Sequence, residues 1–476
     1  MKLEFNLNLD DILNSTGGKA VKIGKYLVFN EVFIDSRQLF SENSIFFAIK
    51  GKKFNGEDFV GEIFQNGCPC AFVSWDFLEK NDISEYADKT LIAVEDTLIA
   101  YGLLAKKYLS LFNLQNKIAI TGSSGKTTTK EMLYKILSEH FGENYVLKNK
   151  YNYNNQVGIP NTVFELNSGY KFLVLEIGTN KKGEIEKLSN IISPDIGAII
   201  NVGKSHLEEF KNLEGVLKEK YSMTFNMPLD SYLIINADDR LLLGKYKTDD
   251  KINFISFGAK NADLIYKNIE FNADDNGYMH FEVIYKGKTY KAKLKSNGLH
   301  FAHDFMCAIL MAEVCGVNLE SGIKALESFE LPKGRMEIII ENSDNSIIIN
   351  DSYNSNPDSL KAAFNAISKS YPDKKKILVL GDMLELGEET EVEHFKAGEE
   401  AAKIADYVFY TGNFSKFIID GLIQNKFNSD KIILFDDKKN FQEKLSAIDK
   451  SNSVILFKGS RGMQMENFID FIISSK

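Results

Sequence analysis

The chain has 476 residues, which at roughly 150 residues per domain corresponds to about three domains. With 44% hydrophobic and 26% charged residues it has the composition of a folded globular protein, and it is long enough to form several hydrophobic cores without a metal or disulfide staple. The formal net charge of −9 argues against nucleic acid as the main partner, because phosphate backbones favour a basic face.

The cysteines and the N-terminal segment bear on the cellular compartment. Cys68, Cys70, Cys307 and Cys315 match neither a zinc-site spacing nor a redox Cys-x-x-Cys, and so few cysteines in a long chain suit a reducing compartment. Residues 1–11 lack the basic and apolar regions of a signal peptide, and no apolar stretch approaches the length of a membrane span. We therefore expect a cytoplasmic protein that does not insert into a membrane.

The first part of the chain, to about residue 100, mixes short strands with helices. Apolar runs predict strands there, and apolar residues at helical spacing predict helices. The predicted strands are 26–29, 44–49 and 71–74, and the predicted helices are 59–65 and 98–111. This pattern indicates a small α/β domain over residues 1–100.

A second region consists of continuous apolar strands separated by helical patterns. Its predicted strands are 117–121, 172–176, 196–200, 232–236 and 252–256. Such strands are typical of a parallel sheet covered on both faces by helices. From 262 to 294 apolar and polar residues alternate, which predicts an antiparallel hairpin with its turn at Gly287-Lys288. A predicted helix at 303–315 follows, and we place this central domain at residues 101–331.

The third region begins after Leu331-Pro-Lys-Gly334, the best linker candidate because proline and glycine separate two patterned segments. Strands and helices then alternate again. The predicted strands are 347–350, 377–380, 407–410, 432–435 and 454–457. This alternation predicts a C-terminal Rossmann-like α/β domain over residues 332–476, so the whole chain is predicted to be a three-domain α/β protein.

A glycine-rich loop, Gly122-Ser-Ser-Gly-Lys-Thr-Thr128, joins the strand at 117–121 to a predicted helix. Glycines let backbone N–H groups approach phosphate oxygens, and a helix N-terminus adds partial positive charge. Lys126 would reach the β- and γ-phosphates of ATP, and Thr127 would bind Mg²⁺. The loop is shorter than the full Walker pattern, since Ile120 stands where that pattern has glycine. A plain turn with an exposed lysine is the alternative, which the flanking strand and helix disfavour.

Two further polar residues follow buried strands, and both are expected at the carboxyl edge of the sheet, where ligands bind. Glu176 is the natural second ligand of Mg²⁺ there. For His206 spacing alone leaves the role open, because a lone histidine is usually structural and imidazole is not the preferred ligand of Mg²⁺. GTPase and kinase signatures are absent: Asn149-Lys-Tyr-Asn152 lacks the acid of a guanine-reading motif, and there is no His-Arg-Asp loop.

Several blocks together resemble the Mur ligase family. They are Thr121 to Thr128, Asn154 to Pro160, Leu175 to Gly178, Asn201 to His206, Gly298 to Asp304, and Gly334-Arg335. With further blocks near both ends, the resemblance spans residues 35–466. It implies an N-terminal domain for a UDP-linked sugar peptide, a central ATPase domain with a phosphate loop, and a C-terminal domain for the incoming amine.

The resemblance also implies a catalytic set and an ATP site. Lys220 stands where the family carries a carbamylated lysine, whose two oxygens would suit a second Mg²⁺. The implied catalytic residues are Lys126, Glu176, His206 and Lys220, and the implied ligands of two Mg²⁺ ions are Thr127, Glu176, His206 and the Lys220 carbamate. The implied ATP contacts are Gly122, Ser123, Ser124, Gly125, Lys126, Thr127, Thr128, Asn297, His300, Asp304 and Arg335. Phe301 and Asp304 replace two family asparagines, and an ionised Asp304 could accept a hydrogen bond from adenine but could not donate one.

Both ends of the chain indicate a branch of the family. Residues 35–37, 47–51 and 55–59 resemble the UDP-sugar domain of its later-acting members, and residues 350–359 closely resemble the branch that adds D-alanyl-D-alanine. The implied contacts of the UDP substrate are Ser36, Arg37, Lys50, Asn154 and Asn155. The implied contacts of the dipeptide are Asp351, Tyr353, Asn354 and Asn356.

The activity that the resemblance implies is ATP-dependent joining of D-alanyl-D-alanine to a UDP-MurNAc-tripeptide through an acyl phosphate, by a monomer whose domains close about residues 331–335. Two alternatives stay open. One is another amide ligase of this fold, such as an amino-acid-adding Mur ligase or a folylpolyglutamate synthase, which residues 350–358 disfavour. The other is a nucleotide-binding protein without catalysis, which the complete implied catalytic set disfavours.

Overall fold

Three β-sheets follow one another along the chain in the computed structural model, which describes residues 1–51, 53–272, 278–296, 298–341 and 345–474. Helices lie against each sheet, so the predicted three-domain α/β architecture is confirmed. Within these described ranges, no helix combines the length and the apolar character that crossing a membrane requires.

The first sheet has six strands, and three of its inner strands, Ser44–Phe47, Cys70–Ser74 and Thr90–Val94, are buried along nearly their whole length. Its region contains β1 (Lys2–Asn8), α1 (Leu9–Thr16), β2 (Lys19–Lys22), β3 (Val28–Phe33), β4 (Ser44–Phe47), α2 (Val60–Gln65), β5 (Cys70–Ser74), α3 (Trp75–Lys80), β6 (Thr90–Val94) and α4 (Thr97–Leu109). The strand order is β1-β3-β4-β5-β6-β2. Strands β3 to β6 run parallel, and β1 and β2 pair antiparallel at the edges.

Helix α4 connects the first sheet to the second. Asp96 caps its N-terminus, and Tyr101 packs its ring against Phe47 of β4, with 5.1 Å between the centroids. The Tyr101 hydroxyl donates a hydrogen bond to Asn161 of the second region at 2.5 Å. The boundary expected after residue 100 therefore falls inside a helix that contacts both regions.

The second sheet has nine strands and carries the glycine-rich loop. Its region contains β7 (Asn116–Thr121), α5 (Lys126–Phe141), β8 (Val146–Lys148), α6 (Gly158–Val163), β9 (Phe172–Glu176), α7 (Glu184–Ile192), β10 (Ile196–Ile199), α8 (Leu207–Phe210), α9 (Leu213–Tyr221), β11 (Ser231–Asn236), α10 (Arg240–Leu243), β12 (Ile252–Gly258), β13 (Leu264–Asn272), β14 (Tyr278–Tyr285), β15 (Lys288–Lys295), α11 (His300–Val314) and α12 (Leu319–Leu326). The order is β15-β14-β13-β12-β11-β10-β7-β9-β8. Apolar side chains of α5 and α11 bury one face, and those of α4, α6 and α7 bury the other.

The antiparallel part of this sheet is larger than the predicted hairpin. β13, β14 and β15 form a three-stranded meander, although residues 273–277 of the predicted segment lie outside the described residues. The turn is at Lys286-Gly287, one residue earlier than predicted, because Lys288 already pairs with Tyr285. Both turn residues have positive φ, 47° and 76°, and glycine adopts such a backbone without strain.

The third sheet has six strands, and its parallel part is that of a Rossmann-like domain. Its region contains β16 (Glu337–Glu341), β17 (Ile347–Asp351), α13 (Pro357–Ser370), β18 (Lys375–Gly381), α14 (Thr390–Ala402), β19 (Tyr407–Thr411), α15 (Ser415–Gln424), β20 (Ile432–Leu434), α16 (Lys438–Ser446), β21 (Ser453–Lys458) and α17 (Glu466–Ser474). The order is β16-β17-β21-β18-β19-β20, with β16 antiparallel at one edge. The ends of β17 and β21 therefore lie side by side and bring Asp351 opposite Lys458.

Candidate active site

The glycine-rich loop lies between β7 and α5, as predicted. Gly125 has φ +82° and precedes the first residue of α5, and a Cβ at this position would overlap Asp304 Oδ1. Only glycine therefore fits between the loop and α11. Because the first N–H groups of a helix have no acceptor within the helix, the start of α5 presents donors for an anion.

The loop is tied to the segment that follows β10. Ser124 N–H donates to Asn201 Oδ1 at 3.0 Å, and Ser123 N–H donates to the Asn201 carbonyl at 3.2 Å. The Ser123 hydroxyl also donates to the Gly203 carbonyl at 3.0 Å. These hydrogen bonds within the protein hold the loop in its conformation.

Lys126 and the threonines after it occupy the first turn of α5. The Lys126 ammonium donates to the Gly122 carbonyl at 2.7 Å, and its pKa is lowered by burial, an effect that Glu176 opposes and Arg335 adds to. Thr127 Oγ1 accepts a hydrogen bond from Arg335 at 2.9 Å. Thr128 Oγ1 is buried and has no hydrogen-bond partner among the described residues.

Glu176 ends β9 at the carboxyl edge, as predicted, and is 1% exposed. Its Oε1 accepts a hydrogen bond from the Asn154 side chain at 2.8 Å. The Asn149 side chain forms two hydrogen bonds with the Glu176 backbone. Asn149 Oδ1 accepts from Glu176 N–H, and Asn149 Nδ2 donates to the Glu176 carbonyl, each at 3.0 Å. The ammonium of Lys130 lies 3.8 Å from Glu176 Oε2.

His206 contacts the third domain through one of its two ring nitrogens. It has a positive φ of 51°, and its Nδ1 lies 2.7 Å from Oε2 of Glu385. Because Nδ1 is engaged in this way, Nε2 is the nitrogen that could bind a metal ion. No group of three or more histidine, cysteine, aspartate and glutamate side chains with metal-site geometry occurs in the described part of the chain, so a metal here would also need other donors.

Lys220 lies on α9 and is buried, at 3% exposure. Burial lowers its pKa well below the ordinary value, and the nearby charge of Lys126 lowers it further, against the attraction of Glu219. Glu219 itself accepts from the backbone N–H groups of Gly183 and Ile185 at the start of α7, at 2.7 and 3.0 Å. The predicted catalytic residues Lys126 and Lys220 thus lie within range of each other's charge, and burial disfavours the charged form of Lys220.

Asp304, His300 and Arg335 cluster beside the phosphate loop. Asp304 Oδ1 accepts from the Thr129 hydroxyl at 3.2 Å, and burial raises the Asp304 pKa to about 8 despite Arg335 and this hydrogen bond. Burial, with the nearby cations, lowers the His300 pKa to about 3. At neutral pH Asp304 is therefore largely protonated, and its carboxyl has one donor and one acceptor oxygen, as the amide of asparagine has a donor and an acceptor. Asn297 lies outside the described residues.

The predicted contacts of the UDP substrate fall in two places. Ser36 and Arg37 follow β3, and Lys50 follows β4, so these three lie on loops at the carboxyl edge of the first sheet. The other two lie in the second region, where Asn154 contacts Glu176 and the Asn155 side chain caps the start of α6. This prediction stays open for all five residues.

The predicted dipeptide contacts lie at the ends of β17 and β21. Asp351 Oδ2 accepts from the Lys458 ammonium at 2.6 Å, and the same ammonium donates to the Asn354 carbonyl at 3.1 Å. Tyr353 packs its ring against the Arg335 guanidinium, 4.3 Å from the ring centroid. Asn356 serves as the N-cap of α13 in a capping box, so its side-chain oxygen already has a structural role.

The second and third domains contact each other beside these groups. Lys204 N–H donates to Asp358 Oδ2 and the Lys204 ammonium donates to Glu393, both at 2.7 Å. Together with the contacts of Arg335 with Thr127 and of His206 with Glu385, they bring the dipeptide candidates to the phosphate loop.

Several site residues were not predicted from the sequence. Lys130, Asn149, Asn201 and Lys458 each contact a predicted site residue. Lys130, Asn201 and Lys458 lie close to predicted strand ends or helix starts, whereas Asn149 follows β8, which was not predicted. For Lys130 a signal existed, because it lies four residues after Lys126 and hence on the same side of α5.

The fold and the site define a class of enzyme that comparison with known proteins identifies. Residues 120–312 match the Mur ligase middle domain, and residues 334–461 match the family described as Mur ligase, glutamate ligase domain. The UDP-N-acetylmuramoyl-tripeptide--D-alanyl-D-alanine ligase of Bacillus subtilis is 34% identical over 450 residues, which cover 94% of each chain. The chain belongs to the Mur ligase family.

Solved structures agree with this assignment. MurF from Acinetobacter baumannii superposes with a TM-score of 0.86 and 28% sequence identity, over 100% of both chains. The MurF ligase of Thermotoga maritima, in complex with ADP, superposes with a TM-score of 0.81 and 26% identity, over 93% of this chain and 97% of that one.

Proposed function

We propose that this chain is an ATP-dependent, ADP-forming ligase that joins D-alanyl-D-alanine to UDP-N-acetylmuramoyl-tripeptide in peptidoglycan precursor synthesis. The observation that carries the proposal is the position of Lys126 of the phosphate loop, close to the charges of Glu176, Lys220 and Arg335. Arg335 in turn bonds Thr127 and packs against Tyr353, which follows β17. Relatives named for this reaction match 94% of the chain. The same activity was expected from the sequence.

The residues present fit magnesium bound with a nucleotide. Thr127 offers a hydroxyl and Glu176 a buried carboxylate oxygen, Oε2, with no hydrogen-bond partner in the described structure. Hard oxygen donors of this kind are those that Mg²⁺ prefers. Mg²⁺ held there would neutralise charge on the transferring phosphoryl group. We propose two ions, with His206 Nε2 and a modified Lys220 contributing to the second.

Lys220 is the proposed site of carbamylation. A neutral amine attacks CO₂ to form a carbamate and releases a proton, whereas an ammonium has no lone pair for this bond. The lowered pKa of Lys220 favours the neutral amine. The product would replace a buried potential cation beside Lys126 with an anion, which the charge of Lys126 stabilises.

The proposed reaction activates a carboxylate that is otherwise a poor acyl donor. An oxygen of the tripeptide's terminal carboxylate attacks the γ-phosphorus of ATP, and the bond to ADP breaks. The amine of D-alanyl-D-alanine then attacks the acyl carbon, loses a proton and expels phosphate. Lys126 would stabilise charge on the transferring group, and the contacts between the second and third domains would keep water from the acyl phosphate.

The remaining assignments follow from this function. The proposed contacts of the UDP substrate are Ser36, Arg37, Lys50, Asn154 and Asn155. The proposed contacts of the dipeptide are Asp351, Tyr353, Asn354 and Asn356. His300, Asp304 and Arg335 are proposed ATP contacts. We place the domains at 1–100, 101–331 and 332–476, with α4 shared across the first boundary. We also propose that the protein is cytoplasmic and acts as a monomer, with all three proposed substrate sites on one chain.

The proposal is tested by ADP release from ATP with UDP-MurNAc-tripeptide, in the presence and absence of D-alanyl-D-alanine. Sustained turnover is expected only with both substrates. Single amino acids in place of the dipeptide, or a folate acceptor, test the other ligases of this fold. Turnover with a single amino acid but not with the dipeptide would contradict the proposed substrate. No turnover with any pair of substrates would indicate a protein that binds nucleotide without catalysis.

A further inference from the structure

Lys130 is a buried cation to which the proposed reaction assigns no role. It lies on α5 one turn after Lys126 and is 1% exposed. An unpaired buried ammonium is strongly destabilising, so its partners show why it is tolerated. It donates a hydrogen bond to the Asn149 carbonyl at 2.7 Å and lies 3.3 Å from Glu131 and 3.8 Å from Glu176.

Through Asn149, Lys130 supports the segment that holds Glu176. The Asn149 side chain bonds both backbone groups of Glu176, and it also donates to the Tyr153 carbonyl at 2.9 Å. Asn154, the next residue, donates to Glu176 Oε1. One ammonium therefore anchors the turn that fixes the backbone of Glu176 and one of its two carboxylate oxygens.

The other oxygen, Oε2, is treated differently. At 3.8 Å the Lys130 ammonium attracts Oε2 but does not hydrogen-bond to it, and Oε2 is buried without a hydrogen-bond partner in the described structure. The network thus orients the carboxylate and leaves one oxygen available. Groups that orient a metal-binding side chain in this way typically change metal affinity by about 10- to 100-fold when they are removed.

We propose that Lys130 is a positioning residue that holds Glu176 in the geometry in which nucleotide-bound Mg²⁺ reaches Oε2. This inference rests on the proposed function, since it presumes a metal at Glu176. The affinity for ADP in the presence of Mg²⁺ should therefore depend on Lys130. The affinity for ADP alone, which the phosphate loop supplies, should not depend on Lys130.

The test is titration calorimetry of ADP with the full chain, once in a metal chelator and once in saturating Mg²⁺. The ratio of the two dissociation constants measures the coupling between metal and nucleotide. In Lys130→Met this ratio is expected to fall about tenfold, with ADP affinity in chelator unchanged within about twofold. Lys148→Met is the matched control, because Lys148 pairs with Glu131 but not with Glu176, and its ratio should equal that of the parent.

A ratio in Lys130→Met that is unchanged or larger would overturn the inference, as would an equal loss of ADP affinity with and without metal. If Lys130→Met does not fold, the charge-balanced variant Lys130→Met/Glu131→Gln provides the same comparison. A parent chain that binds ADP no better with Mg²⁺ than without it would instead contradict the proposed function.

Discussion

The phosphate-loop region and the loops of the first sheet differ in how their polar side chains are held. Glu176 is 1% exposed and fixed by two asparagines, whereas Arg37 is 85% exposed and pairs with its near neighbour Asp35 at 2.7 Å. Around the phosphate loop, contacts within the protein set the side-chain geometry, whereas on the loops of the first sheet the Arg37 side chain is largely exposed to solvent. Substitutions should therefore have larger effects in the buried region than in the exposed one.

The largest effect is expected at Lys126. Lys126→Ala removes the cation proposed to stabilise the transferring phosphoryl group, and ADP formation should fall by about 10²- to 10³-fold. Lys135→Ala, on the same helix and paired with Glu139, is the control and should retain parental turnover. Parental activity in Lys126→Ala would place the chemistry away from the phosphate loop.

The second largest effect is expected at Lys220, where burial is proposed to make the amine reactive toward CO₂. In ¹³C-bicarbonate the parent should show a carbamate carbon signal, and Lys220→Gln should lack that signal and lose about 10²-fold in turnover. The reason is that a neutral amide cannot supply the anionic oxygens proposed for the second ion. A parent without the signal that is fully active would rule out the modification.

The effect of burial on Asp304 should be visible in the stability of the protein rather than in its activity. Its folded pKa of about 8 lies above the ordinary 3.8, so between these values the folded protein keeps a proton that the unfolded chain releases. The free energy of unfolding should therefore fall as pH rises, by about 1.4 kcal/mol per pH unit from this group. The loss should be complete above about pH 8.

Asp304→Asn removes this titration and should be more stable than the parent by a margin that grows between about pH 5 and about pH 8. Urea denaturation across this range measures the margin. Asp10→Asn, on the exposed surface, controls for the change in net charge and should show no such growth. A margin for Asp304→Asn that is constant with pH would mean that Asp304 is ionised in the folded protein.

The smallest effect is expected at Arg37. Arg37→Ala should raise the KM for the UDP substrate by up to about tenfold, the equivalent of one charge-assisted hydrogen bond, with little change in kcat. Its melting temperature should match that of the parent, since an exposed ion pair contributes little to stability. A lowered kcat with unchanged KM would show that Arg37 does not bind the UDP substrate.

The same contrast explains what could be predicted from the sequence. The apolar strands and the phosphate loop are local patterns, and the structure has β7 followed by the loop and α5 as predicted. Strands β1, β2, β6, β8 and β16 were not predicted. Of these, β8 is only three residues long, and β1, β2 and β16 are antiparallel edge strands whose pairing is set by a neighbouring strand. Likewise the hairpin turn was placed one residue late, since its glycine occupies the second turn position rather than the first.

The candidate site was predictable where a residue follows its own strand, as Glu176 does. It was not predictable where the partner comes from a distant segment. The burial of Lys130 depends on Asn149 and Glu176, and the His206 contact depends on Glu385 in the third domain. No local pattern encodes these contacts, because packing between elements creates them.

The proposed reaction uses ATP to make a carboxyl group reactive as an acyl phosphate, and an isotope measurement can follow the oxygen that this step transfers. UDP-MurNAc-tripeptide labelled with ¹⁸O in its terminal carboxylate is converted with ATP and D-alanyl-D-alanine, and the released phosphate is analysed by mass spectrometry. Each released phosphate is expected to carry one oxygen from the carboxylate. Unlabelled phosphate accompanying amide product would contradict it.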